Sequence, residues 1–152
     1  EQVQTHANVL INMHTMGHPF EAKPYAVYKV HPNARVGEDE LLRLIAPFRP
    51  SVACRMSVAP GQGELPGNIA GALDYQLLER GIPSFMIELG AGQRADRADI
   101  AQGLAGFEGV ARRLGMVGGA APTLVELQPD DNDKRRDRHK DAEQNERCQC
   151  RR

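Results

Sequence analysis

Gly81-Ile82-Pro83-Ser84-Phe85-Met86-Ile87-Glu88-Leu89-Gly90 decides how this chain is read. It is an apolar run bounded by glycines, with a single carboxylate near its carboxyl end. A strand this apolar is normally covered on both faces, as the strands of helix-flanked sheets are. An acid at its carboxyl end lies where open α/β sheets place their ligands. Glu88 is therefore the first candidate for chemistry. Asn8-Val9-Leu10-Ile11-Asn12-Met13-His14 repeats the design, an apolar strand ending in a histidine ahead of Thr15, Met16 and Gly17. Two strand ends thus offer a metal ligand and a general base.

Around these runs the chain alternates between strand and helix patterns. Pro24 to Val30 alternates as a strand. Gly37-Glu38-Asp39-Glu40 opens a short helix through Ala46, its first-turn acids suiting the helix dipole and Pro47 ending it. Val52, Cys54, Met56 and Val58 share one face of a half-buried strand over Ser51 to Val58. Pro60-Gly61-Gln62-Gly63 is a loop. Asn68 caps a predicted helix with Ile69, Leu73 and Leu77 at spacing four, closed by Gly81 and Pro83. A last helix, about Ala98 to Leu114, carries Ile100, Leu104, Phe107, Ala111 and Leu114 on its apolar face and stops at Gly115. Its Gly103, Gly106 and Gly109 each cost up to ~1 kcal/mol against Ala, so close packing on a sheet is the expected compensation. The alternation predicts an α/β fold.

The strand-His-Thr-Gly motif at His14, followed by Gly-Ile-Pro, an apolar run and Glu-Leu-Gly, resembles the succinylglutamate desuccinylase/aspartoacylase family. These are deacylases of the zinc carboxypeptidase superfamily, and the similarity runs from about Asn8 to about Val117. The resemblance implies a partial zinc-carboxypeptidase-like sheet flanked by helices. It makes His14 a zinc ligand and Glu88 the general base of amide hydrolysis, acting on a small N-acyl amino acid or related N-acyl compound. Asn12 stands where family members usually carry Asp. The family's other two ligands, from Gly-x-His-Gly-x-Glu, and its Asn/Arg carboxylate-binding block have no room in the 13 residues before His14. His18-Pro19-Phe20-Glu21 fits His-x-x-Glu by pattern, but it follows His14, lacks the flanking glycines and contains a helix-opposing proline. Arg55, Arg80 and Arg94 are basic residues that match no family motif. The chain alone is expected to retain little zinc and to be impaired as a deacylase. The alternative is an interaction or regulatory module that keeps the scaffold without the metal centre.

Composition divides the 152 residues in two. Residues 1–129 carry 11 bases and 13 acids, a balance that points to neither nucleic acid nor a membrane surface. This part is read as the partial catalytic domain. Asp130 to Arg152 holds seven acids and eight bases with only Ala142, Cys148 and Cys150 apolar, so it is expected to be a disordered tail. The resemblance ends near Leu127, where the family's β-rich subdomain would begin, as an altered reading frame or an incomplete gene would produce. No membrane span or signal peptide is visible, and a cytoplasmic location is expected. Cys54 reads as a small buried hydrophobe, and Cys148-Gln149-Cys150 with His139 is too closely spaced for a zinc knuckle. An open sheet edge beside the His14 strand would invite self-association. On the residues alone, His14 also fits a surface histidine, and Glu88 a helix cap or ion-pair partner.

Overall fold

The two apolar runs become neighbouring parallel strands. In the computed structural model, which describes residues 6–17, 22–65 and 67–119, the first forms β1 (Leu10–Met16) and the second β4 (Ser84–Ala91). Between them lie β2 (Tyr25–Val30), α1 (Glu38–Ile45), a 3-10 turn (Ala46–Phe48), β3 (Ala53–Ser57) and α2 (Leu73–Glu79). After β4 comes α3 (Arg97–Arg113). The sheet order is β1-β4-β2-β3, with β1 parallel to β4, β2 antiparallel to β4, and β3 parallel to β2. The result is a mixed α/β layer in which, among the described residues, β4 lies inside the sheet and β1 at its edge. His18 and Glu21, together with the whole stretch 130–152, lie outside the described residues.

Local chemistry accounts for the elements. α1 starts at Gly37 with three acids in its first turn and buries Leu41, Leu44 and Ile45, the i, i+3, i+4 face of a one-sided helix. The α-helix ends at Ile45 with Ala46 as its cap, just before Pro47 as expected, and the chain coils on for one 3-10 turn. Pro47 enters the 3-10 turn, where its missing N–H costs nothing, and Arg49 in the left-handed region closes the turn. Phe48 is fully buried there, edge-on to Phe85 of β4 and Phe107 of α3 at centroid distances of 6.0 and 5.6 Å. Gln102 Nε2 donates to the Phe48 carbonyl at 2.6 Å, tying α3 to the same turn. A second tie is polar. Lys29 of β2 and Asp74 of α2, both buried, pair at 2.5 Å.

Two helices differ from their sequence reading. Asn68 does not cap α2, which begins five residues later after Ala72; Ile69 is buried outside the helix and Leu73 is exposed. The buried face is instead Asp74, Tyr75, Leu77 and Leu78, set by the Lys29 pairing as much as by apolar spacing. In α3 the expected apolar face is turned outward, with Leu104 65% and Phe107 42% exposed. Gly103, Gly106, Gly109 and Val110 face inward. The glycines let the helix backbone approach the sheet, and the phenyl ring of Phe48 fills the place a Cβ on Gly106 would take. Cys54 is buried as expected, in a small cluster with Tyr25 and Val27. No helix among the described residues is long and apolar enough to cross a membrane.

Gly106→Ala tests this packing. In a free helix the change would gain about 1 kcal/mol. Here Phe48, held between two other rings, cannot withdraw, so a net loss of about 1–3 kcal/mol is expected in chemical denaturation. A stabilised protein would show that α3 does not press its glycine face onto Phe48.

Candidate functional site

Pairing register assembles the site. His14 of β1 lies directly opposite Glu88 of β4, and Glu88 lies opposite Tyr25 of β2. Residues opposite one another on adjacent strands point to the same face, about 5 Å apart. His14, Glu88 and Tyr25 therefore form one row across the sheet. The Tyr25 hydroxyl donates to Met16 Sδ at 3.3 Å, so its side chain reaches from β2 across β4 to β1. His14 is exposed, while Tyr25 is nearly covered. Oε2 of Glu88 is buried and has no hydrogen-bond partner among the described residues. Burial raises the Glu88 carboxyl above the usual carboxylate range, and the neighbouring His14 opposes part of that rise.

The backbone beyond Glu88 is built for a close turn. The β1–β4 register slips after His14, so that Met16 pairs with Ala91 and one extra residue of β4 is accommodated. Such bulges re-aim strand ends. Gly90 takes φ +65° there, and the Asp99 carboxylate of α3 occupies the place its Cβ would need. The glycine of Glu-Leu-Gly is thus required both by conformation and by contact. Gly92 N–H then donates back to the Met16 carbonyl at 2.6 Å. Gln93 follows at φ 64°, a left-handed conformation for a non-glycine residue. Asp96 caps α3 by accepting from Ala98 N–H at 2.8 Å.

A cavity of about 300 Å³ opens beside this turn, walled by Met13, Leu89 and Ile100 and rimmed by His14, Thr15, Arg94, Asp96 and Asp99. It adjoins His14 without including Glu88. Of the three arginines noted in the sequence, Arg94 reaches this rim. Arg55 is committed elsewhere, donating to Glu38 at 3.0 and 2.9 Å and pairing with Glu64, and Glu38 is held below the usual carboxylate range by that contact. Tyr28, buried close to the same pair, is pushed up to about 12. Arg80 is exposed just after α2. Sequence reasoning missed Tyr25 and Asp99. Tyr25 was visible only as the first residue of an alternating strand, and Asp99 only as a first-turn acid. Among the described residues, no three His, Cys, Asp or Glu side chains cluster closely enough to hold a metal.

The fold of the described residues recurs in solved structures. A succinylglutamate desuccinylase from Silicibacter sp. TM1040 superposes with a TM-score of 0.59 at 18% identity, over 84% of this chain and 36% of that one. The product-bound ectoine utilization protein EutE (DoeB) from Ruegeria pomeroyi gives 0.63 at 19% identity, over 82% and 36%. A succinylglutamate desuccinylase/aspartoacylase from Rhodobacter sphaeroides gives 0.54 at 20%, over 80% and 34%. The chain has the succinylglutamate desuccinylase/aspartoacylase fold. It spans about a third of the length of these structures. No family model and no curated protein matches the sequence. In this chain the two sequence motifs are the ends of adjacent parallel strands.

The burial of Glu88 has a measurable consequence. Because the folded protein holds this proton more tightly than the unfolded chain, Glu88 is most favourable to folding below its ordinary pKa of ~4.3. That contribution is lost as pH rises through the raised folded value. Glu88→Gln removes the titration, so the variant should gain stability relative to the parent as pH increases from 4 to 8, read by denaturant midpoints. A difference that is flat or falls with pH would contradict a carboxyl raised by burial.

Proposed function

We propose that this stretch carries part of the active centre of a zinc-dependent hydrolase of small N-acyl amino acids or related N-acyl compounds. The pairing of His14 with Glu88 at two parallel strand ends supports it best. Glu88 is the general base. Its half-buried carboxyl, with one oxygen lacking a partner among the described residues, can take a proton from the attacking water and return it to the departing amine. A raised pKa favours the second half of that cycle. His14, exposed at the next strand end, is proposed as one zinc ligand.

The described residues do not complete a zinc site. One imidazole is a third of the protein donor set that a catalytic zinc uses. The remaining ligands would come from outside the described residues, and no step is assigned to the ion beyond the polarisation of carbonyl and water that zinc supplies when bound. A cytoplasmic location belongs to the same proposal.

Metal analysis and an amide-hydrolysis assay test it together. After dialysis the chain should hold well under one zinc per molecule, with the residue abolished by His14→Ala. Whatever hydrolysis of N-acyl amino acids appears in excess zinc should fall about 100- to 10,000-fold in Glu88→Gln. Hydrolysis indifferent to Glu88→Gln, or a full equivalent of zinc that survives His14→Ala, would overturn the roles. Firm, cooperative folding with neither zinc nor hydrolysis would favour the interaction module.

A further inference from the structure

We infer that Tyr25 is a positioning residue, a strap laid across β4 that holds the His14 end of β1 beside Glu88 and walls the Glu88 carboxylate on its β2 side. The inference rests on the roles proposed above for His14 and Glu88.

The end of β1 needs such a hold. Regular β1–β4 pairing stops at His14 opposite Glu88, and the next pair is Met16 with Ala91, after the register has slipped. His14 is thus the last residue of β1 that the ladder places before the irregularity, where a bulge re-aims the strand. Beyond it the strand is fastened twice at Met16. The Met16 carbonyl accepts from Gly92 N–H at 2.6 Å, and Met16 Sδ accepts from the Tyr25 hydroxyl at 3.3 Å. One tie comes from the turn after β4 and the other from β2. His14 is held between its own pair and this double anchor.

Tyr25 reaches Met16 over β4. The strands β1 and β2 flank β4 on opposite sides, so their backbones are about 10 Å apart, two strand spacings. Tyr25 starts opposite Glu88, and Met16 lies two residues beyond the β1 partner of Glu88. The phenol therefore runs obliquely over β4 from Glu88 toward Ala91, on the face that carries His14 and Glu88. Tyr25 is only 9% exposed, so the ring is packed in place, in an apolar cluster with Val27, Cys54, Met16 and Met86. A buried tyrosine removes about 150–250 Å² from water, whereas a thioether is a weak acceptor. The ring supplies most of the hold, and the O–H···S bond fixes where its far end points.

The destination of the hydroxyl proton matters to the chemistry. A carboxylate is a far stronger acceptor than a thioether, and Glu88 stands directly opposite Tyr25. Yet the proton goes to Met16 Sδ, and Oε2 of Glu88 receives no hydrogen bond among the described residues. A phenol donating to that oxygen would occupy the lone pair that a general base offers to water. Tied to Met16, Tyr25 gives the carboxylate a wall and leaves the oxygen unclaimed. Phenylalanine would keep the wall and lose the tie, and leucine would lose both.

NMR of the full 152-residue chain, with methionine, aromatic and glutamate side chains labelled, tests this. In the parent the Tyr25 ring is expected in through-space contact with the Met16 methyl and with the Glu88 side chain. The His14–Glu88 contact, scaled to the Phe48–Phe85 contact of the core, should fall at least twofold in Tyr25→Phe and be lost in Tyr25→Leu. Met16→Leu should match Tyr25→Phe, and the double variant should be no worse than either single one, because both remove the same bond. A side chain that only fills space would shift the denaturation midpoint and leave the scaled contact unchanged. That result, additive losses in the double variant, or a Tyr25 ring apart from Met16 and Glu88 in the parent would each overturn the strap alone. A parent in which His14 and Glu88 are themselves apart would overturn the strap together with the roles on which it rests.

Discussion

The pairing of β4 on both sides is the constraint on which the rest depends. Parallel pairing with β1 sets His14 beside Glu88, and antiparallel pairing with β2 sets Tyr25 on the other side of the same carboxylate. Side chains on a strand alternate faces with period two, so a slip of one residue in either ladder would send Glu88 to the helix-covered face and separate it from His14. What prevents the slip is the other face. Phe85 and Ile87, the alternate residues of β4, are fully buried against Phe48, Leu78 and Val110. Hydrophobic burial under the helices thus determines which side chains meet on the open face.

α3 enforces the same register from its N-terminus. Asp99 lies where a side chain on Gly90 would be, and Phe48 lies where one on Gly106 would be. The helix is consequently held at two points, one at the turn after Glu88 and one over the 3-10 turn. Its conformational cost, three inward glycines in a single helix, is offset by that approach. Among the described residues, the arrangement leaves the larger apolar side chains of α3 exposed.

Much of this was legible in the sequence, and the failures have physical causes. The strands were visible because continuous apolar runs between turn residues have few alternative structures, and His14 and Glu88 were visible because each interrupts the end of such a run. Their proximity was not visible. Register is a property of two segments 74 residues apart, and no local pattern encodes it. The periodic apolar face of α3 was read as buried because large side chains usually face the core, yet the helix meets the sheet through its smallest residues. α2 was misplaced because Ala72 provides no side-chain cap and a buried Lys29–Asp74 pair, invisible to hydropathy, orients the helix.

The most direct measurement is the set of interstrand NMR contacts between β1 and β4 in the isolated chain. The expected result is through-space contact between the side chains of His14 and Glu88, with Asn12 similarly close to Met86. Contact of His14 with Ile87 or Leu89 instead, or no contact between the two strands, would contradict the shared site and every role assigned to it.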